Sequence, residues 1–375
     1  MVKKLKNPFL LTGYYSKTYF CDRKNELEIL HQHFENERNV VLYAWRRMGK
    51  SALIRCFIEE LESQQNAETI YVDLLGTRSM DDAILQIAKA VYQRFGKTQK
   101  GISPAIAKLF GAIGIDLSFD PHSGMPKLSV GLRNYSPAAE NSLAELGAFL
   151  QSRKKTILIA LDEFQQIRHY SKQDGEAVFR SWVQAFPTIR FIFSGSHRNM
   201  MQSMFSDKNR PFYQSAQLML LNAIPLDAYT QFIQKHFTKN KQEIKTEQIE
   251  EFYTWCRAQT YCIQLVCNRL YGMGTNITDS MINKVYSEIL QEEGAVFSNY
   301  TNLLTDTQWS VLQALAKEEP VKSPTANAFI QQYNLAAASS VSTALQKLME
   351  YEIVIKEGEY YLVHDVLLAR WLQSI

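Results

Sequence analysis

The sequence predicts an α/β protein, a parallel sheet with helices on both faces, followed by an all-helical segment and a small helical domain that ends in a β-hairpin. Three observations carry this expectation. Short apolar runs alternate with longer amphipathic stretches through residue 222, strand-like runs vanish after Pro225, and two β-rich runs meet at Glu357-Gly358 near the C-terminus.

The runs Val40–Ala44, Ile70–Leu74, Ile157–Leu161, Arg190–Phe193 and Leu218–Leu221 are short and apolar on both alternating faces, the signature of strands buried in a parallel sheet. Amphipathic stretches such as Ser51–Glu62 and Met80–Phe95 separate them and supply the covering helices. Residues 101–136 break the rhythm: GIDLSF and KLSVGL flank the turn-rich DPHSGMP, which predicts a β-hairpin inserted into a first domain of residues 1–222. Asp227–Phe237, Thr246–Cys256 and Thr278–Glu293 then read as helices of a lid-like segment, residues 223–297. In residues 298–375, the helical patterns Thr305–Lys317, Thr325–Tyr333 and Ala338–Glu350 precede EIVIKEGEYYLVHD, a tight hairpin; three helices and a hairpin predict a winged helix.

Composition excludes several classes. The 375 residues exceed a single core and predict two or three domains. No run approaches the ~20 apolar residues of a membrane span, and the basic N-terminus lacks the apolar core and cleavage site of a signal peptide. Cys21, Cys56, Cys256, Cys262 and Cys267 are odd in number and form no CxxC pair, which fits reduced thiols and a cytoplasmic protein. Cys256, Cys262 and Cys267 read as a packed helix face, since no clustered histidines accompany them.

The chemistry concentrates in NVVLYAWRRMGKSALIRCF. A strand runs into Ala44-Trp45-Arg46-Arg47-Met48-Gly49-Lys50-Ser51, and Ala52 continues into a helix. This is the phosphate-binding pattern GxxxxGK[ST] with Ala44 at its first glycine. Backbone amides and the helix N-terminus wrap phosphates, Lys50 reaches the β- and γ-phosphates, Ser51 ligates Mg²⁺, and Gly49 permits close backbone approach. The basic surplus, 29 Lys and Arg against 21 Asp and Glu, lies in this first domain, whereas residues 298–375 hold five against eight. A second apolar strand ends in Asp162-Glu163; Asp162 suits Mg²⁺ and Glu163 suits polarising an attacking water. A third ends in Ser194-Gly195-Ser196-His197, at the carboxyl end where open α/β sheets bind ligands, so Ser194, Ser196 or His197 is placed to sense a γ-phosphate. Arg210 is the candidate for a finger reaching a neighbour's phosphate, with Arg198 competing for the role.

Taken together, F-x-x-R-x-x-E-L-x-x-L from Phe20, RRxGK[ST], hhhhDEF and hhFSGS resemble the archaeal-type ATPases of the STAND group, related to AAA+ proteins. The resemblance covers nearly the whole chain. It implies an additional-strand sheet with the sensor strand between the strands of the P-loop and of Asp162, then a helical lid and a winged helix. It implies ATP and Mg²⁺ as ligands. It maps Arg23 onto the family's Gly-Arg-Glu loop with Asp22 in place of glycine, Arg46 and Arg47 onto its arginine pair, and Ser196 onto its sensor serine. Where relatives carry Gly-x-Pro in the lid, Arg257–Tyr261 has neither residue.

Three functional readings follow. The first is a slow ATPase switch in which ATP closes the lid. The second is a DNA-directed ATPase like the archaeal replication initiators. The third is a non-hydrolysing scaffold stabilised by nucleotide. The recognition-helix candidate Ala338–Glu350 carries one cation, Lys347, so a protein partner or self-association through the winged helix is favoured over DNA. Lys97, Lys100 and Arg153–Lys155 are the remaining DNA-contact candidates. Trp371 is the aromatic expected to reach a neighbour.

Overall fold

Successive side chains of a strand point to opposite faces, and here both faces are apolar, so the sheet must be covered twice. The computed structural model describes residues 4–98, 101–119, 126–130, 138–170, 174–274 and 276–375. Its strands are β1 (Val40–Tyr43), β2 (Ala67–Asp73), β3 (Lys97–Thr98), β4 (Gly101–Ile102), β5 (Ile115–Phe119), β6 (Pro126–Val130), β7 (Thr156–Asp162), β8 (Arg190–Gly195), β9 (Gln217–Leu220), β10 (Val354–Glu357) and β11 (Tyr360–Val363).

Five of them form one parallel sheet in the order β2-β7-β8-β1-β9. The strand bearing Ser194–Gly195 therefore lies between the P-loop strand and the Asp162 strand, as the family resemblance implies. Val41, Ile159, Leu161, Phe191 and Phe193 point to one face, into a core shared with helices Met80–Phe95, Ala139–Gln151, Gly175–Ala185 and Arg198–Ser206. Val40, Leu42, Leu158, Ala160 and Ile192 point to the other face and meet helices Lys24–Glu35 and Lys50–Ser63. Beside the sheet, β5 pairs antiparallel with β6 from Ile115↔Val130 to Phe119↔Pro126. The connecting turn and Lys100 lie outside the described residues.

The chain forms two compact units, Gly13–Asn222 and a second made of Met1–Thr12 with Ala223–Ile375. In the second, helix Thr260–Tyr271, which the sequence patterns did not separate, carries Cys262 and Cys267 into an interior with Cys256, all three fully buried. Among the described residues no group of three or more His, Cys, Asp or Glu side chains is arranged to hold a metal ion. An N-terminal strap completes this unit. Asn7 Nδ2 donates to the Asn268 carbonyl (2.9 Å) and Asn268 Nδ2 donates back to the Phe9 carbonyl (2.7 Å). The Phe9 ring is ringed by Phe232, His236, Phe237 and Tyr271.

The winged-helix portion holds helices Asp306–Glu318, Asn327–Gln332 and Ala338–Glu350, then β10 and β11 paired around Gly358, whose φ of 59° suits the tight turn. It does not end there. Asp365 accepts hydrogen bonds from the amides of Leu367 and Leu368 and so caps a further helix, Val366–Ser374. Trp371 on that helix is half-buried and packs against Phe297 and Trp309 of its own unit. Arg257 pairs with Glu319 (2.8 Å) and donates to the Val363 carbonyl (2.7 Å), tying the helical segment to the winged helix. Arg257 and Ala258 both adopt left-handed backbone at φ 48° and 54°, a conformation costing an L-residue about 1–2 kcal/mol. No helix among the described residues is long and apolar enough to cross a membrane.

Candidate active site

Parallel register brings three strand ends to one level: Tyr43 pairs with Gly195, and Leu161 with Phe193. The loops leaving β1, β7 and β8 therefore converge. After β1 the chain turns through Arg47 (φ 67°) and Gly49 (φ 90°) into helix Lys50–Ser63. No side chain caps that helix, so its first amides and the positive end of its dipole are free of a side-chain acceptor, which suits an anion. Ala44 has no positive φ and is 1% exposed; its methyl packs into the core, and the backbone there has no need of glycine. Asp22 does adopt φ 53°, a region that short polar side chains tolerate.

Lys50 is buried, and its Nζ makes two 3.3 Å hydrogen bonds, to the carbonyls of Ala44 and Trp45. Burial pushes its pKa below the usual lysine value, Glu163 and Asp162 pull it back up, and Arg46 pushes it further down. A buried ammonium held by two long carbonyl bonds is chemically matched to a polyphosphate. Arg23, buried at φ 67°, donates to Glu26 (2.6 Å), to the Asn222 carbonyl (2.7 Å) and to the Met48 carbonyl (3.3 Å), so it braces the P-loop from behind. Arg46 and Arg47 are exposed on the loop, Ala52 lies in the first helical turn, and the Trp45 ring lies under the Arg198 guanidinium at 4.8 Å.

Ser51 Oγ donates to Asp162 Oδ2 at 2.6 Å, which leaves the hydroxyl lone pairs for a cation. Asp162 Oδ1 accepts the Glu163 amide at 3.0 Å. A hydroxyl and a carboxylate are the hard oxygen donors Mg²⁺ prefers, so the residues present fit that ion. Glu163 sits in left-handed backbone (φ 52°), a strain of the kind that gathers at functional sites. Its Oε2 accepts from Ser196 Oγ (2.7 Å) and from Gln165 Nε2 (2.5 Å). Ser194 is buried within the sheet, and His197 is the N-cap residue of helix Arg198–Ser206. Arg210 is engaged elsewhere: its Nε donates to Glu176 at 3.1 Å, its Nη2 makes a second bond to that carboxylate, and Arg168 flanks the same group at 3.6 Å.

The structure thus brings together Lys50, Ser51, Asp162, Glu163 and Ser196, with Arg23 behind them, and leaves Arg210 paired with Glu176. It adds two residues absent from the motifs, Gln165 and Tyr71; the Tyr71 hydroxyl donates to Asp162 Oδ2 at 2.5 Å. Gln165 follows the Asp-Glu-Phe run directly. Tyr71 announces itself only once strand order is known, because its strand is remote in sequence from Asp162.

Comparison with known proteins accords with this geometry. Residues 20–266 match a family model described as an ATPase domain predominantly from Archaea, and residues 295–374 match a probable winged helix domain. No curated protein matches the chain. Among solved structures, a Walker-type ATPase of Pyrococcus abyssi is similar at 18% identity, with 98% of this chain and 99% of that one covered and a TM-score of 0.69. The Aeropyrum pernix ORC2 protein in ADPNP–ADP complexes is similar at 14% identity, covering 98% and 96%, with a TM-score of 0.62. The ORC1 protein of the same organism, in complex with DNA, gives 12% identity, the same coverage and 0.52.

Proposed function

The chain belongs to the family of ATPase domains predominantly from Archaea, and we propose that it is a slow Mg²⁺-dependent ATPase whose nucleotide state serves as a molecular switch. The observation that carries this reading is the 2.6 Å bond from Ser51, at the start of the P-loop helix, to Asp162, at the end of β7, with buried Lys50 alongside. Lys50 and the uncapped helix amides bind and neutralise the triphosphate. Ser51 and Asp162 hold Mg²⁺, which when bound supplies charge neutralisation at the phosphates. Glu163 orients and polarises water, and Ser196, hydrogen-bonded to it, links the state of that carboxylate to the end of β8. In this reading hydrolysis is slow because Glu163 Oε2 is occupied by two donors. Arg210 serves a neighbouring subunit only after leaving Glu176.

The second unit reports the nucleotide state through protein contact or self-association. The Aeropyrum ORC1 structure contains DNA, but helix Ala338–Glu350 here has a single cation, and Lys347 is bonded to Glu350 at 2.6 Å. Phosphate neutralisation supplies most non-specific DNA affinity, so this helix is poorly equipped to read DNA. The test is to titrate a fluorescent ATP analogue with Mg²⁺ into wild type and Lys50→Ala, and to follow phosphate release from wild type and Glu163→Gln. Binding lost in the first variant and turnover lost in the second are expected. Equal binding by Lys50→Ala would sink the reading, and binding without any turnover in wild type would replace the ATPase by a nucleotide-stabilised scaffold.

A further inference from the structure

Asp162 is held more tightly than its proposed task of meeting a cation requires. A carboxylate offers about four lone-pair sites, two on each oxygen. Oδ2 accepts from both Ser51 Oγ and the Tyr71 hydroxyl, and Oδ1 accepts from the Glu163 amide. Oδ2 is thereby saturated, and one acceptor site is left, on Oδ1.

The donor Tyr71 is delivered by the sheet. In the parallel pairing of β2 with β7, Tyr71 lies opposite Ala160 and Asp73 opposite Asp162. Residues two apart along a strand share a face, so Tyr71, Asp73, Ala160 and Asp162 all face helix Lys50–Ser63. The Tyr71 ring packs on the apolar cluster of that face, and its hydroxyl reaches along the sheet to the carboxylate. From the helix, Arg55 sits four residues after Ser51, on the same stripe, and stacks its guanidinium 3.7 Å from the Tyr71 ring centroid. One stripe of the helix thus supplies the cation's hydroxyl, and the next residue on it clamps the aromatic ring that fixes the carboxylate.

We propose that Tyr71, clamped by Arg55, is a positioning residue for Mg²⁺: by saturating Asp162 Oδ2 it leaves a single oriented acceptor on Oδ1 and aims Ser51 at the cation. The inference rests on the ATP·Mg²⁺ reading of the site and concerns the metal rather than the phosphates. Partners that orient metal-binding side chains change metal affinity by about 10–100-fold when removed.

The experiment measures affinity for a fluorescent ADP against free Mg²⁺ concentration, with an EDTA arm, on the full chain. In Tyr71→Phe, which keeps the packed ring and removes one oxygen, half-saturating Mg²⁺ should rise about tenfold or more while affinity in EDTA stays as in wild type. Arg55→Met should shift Mg²⁺ in the same direction by a smaller factor, and it carries the test if the phenylalanine variant does not fold. An unchanged Mg²⁺ midpoint, or equal weakening with and without Mg²⁺, overturns the proposal while leaving the nucleotide site intact. Wild-type protein that binds no nucleotide overturns the underlying reading and this inference with it.

Discussion

Gly195, at the end of β8, is the residue whose packing the structure makes most concrete. A Cβ added there would stand 2.5 Å from Cγ and Sδ of Met201, and nearer still to Gln165 Oε1. Neither neighbour can swing into solvent, since Met201 is fully buried and Gln165 is 5% exposed. Overpacking of this kind costs about 1–3 kcal/mol. Displacing Gln165 also breaks its hydrogen bond to the Glu163 carboxylate, a charge-assisted bond of about 1.5–3 kcal/mol. The two losses share one movement, so the expected sum for Gly195→Ala is about 2–4 kcal/mol, or roughly 4–16 °C in the melting of a unit of this size. Differential scanning calorimetry of full-length protein measures it. Repeating the substitution in a Gln165→Ala background should recover part of the loss, leaving the Met201 overlap. A Gly195→Ala protein melting within a degree or two of wild type would refute the argument, and so would strict additivity of the two substitutions.

Other outcomes follow from the same contacts. Lys50→Ala should abolish measurable ATP binding by titration, whereas Glu163→Gln should bind ATP·Mg²⁺ normally and release phosphate far more slowly. Removing Glu319 leaves Arg257 charged and mostly buried, so Glu319→Ala should cost about 3 kcal/mol in urea unfolding, while the double change Arg257→Met with Glu319→Leu should cost less than that single one. Lys347→Ala should leave the salt dependence of any duplex DNA binding by the full chain unchanged; a slope shallower by about one would assign Lys347 to a phosphate.

How far the sequence discloses the molecule depends on whether a feature is local. The P-loop, the Asp162-Glu163 strand end and the Ser196 strand end are each written in a continuous run, because strand, turn and helix are neighbours in the chain. All three converge in the folded site. Tyr71 could not be read the same way: its partner is 91 residues away, and only the pairing of β2 with β7 brings them together. Arg210 shows the opposite case. Its place in the chain suggested a finger, but the Glu176 carboxylate that engages it lies 34 residues upstream, on a helix for which no pairing rule exists. The terminal helix Val366–Ser374 was hidden by its length, since nine residues give little periodicity, and its cap at Asp365 is the clearer mark.

The strap at Phe9 bears on how the chain is made. Asn7 and its partner Asn268 are 261 residues apart. Ribosomes add about 5–20 residues per second, so the strap emerges roughly 13–52 s before its dock exists. Throughout that interval Phe9, which ends 1% exposed, is an unsheltered aromatic on a tethered tail. The contiguous unit Gly13–Asn222 can condense while it waits. Closure of the strap therefore waits until the helix bearing Asn268 has been made, and until then Phe9 is the kind of exposed aromatic segment that a holdase would hold.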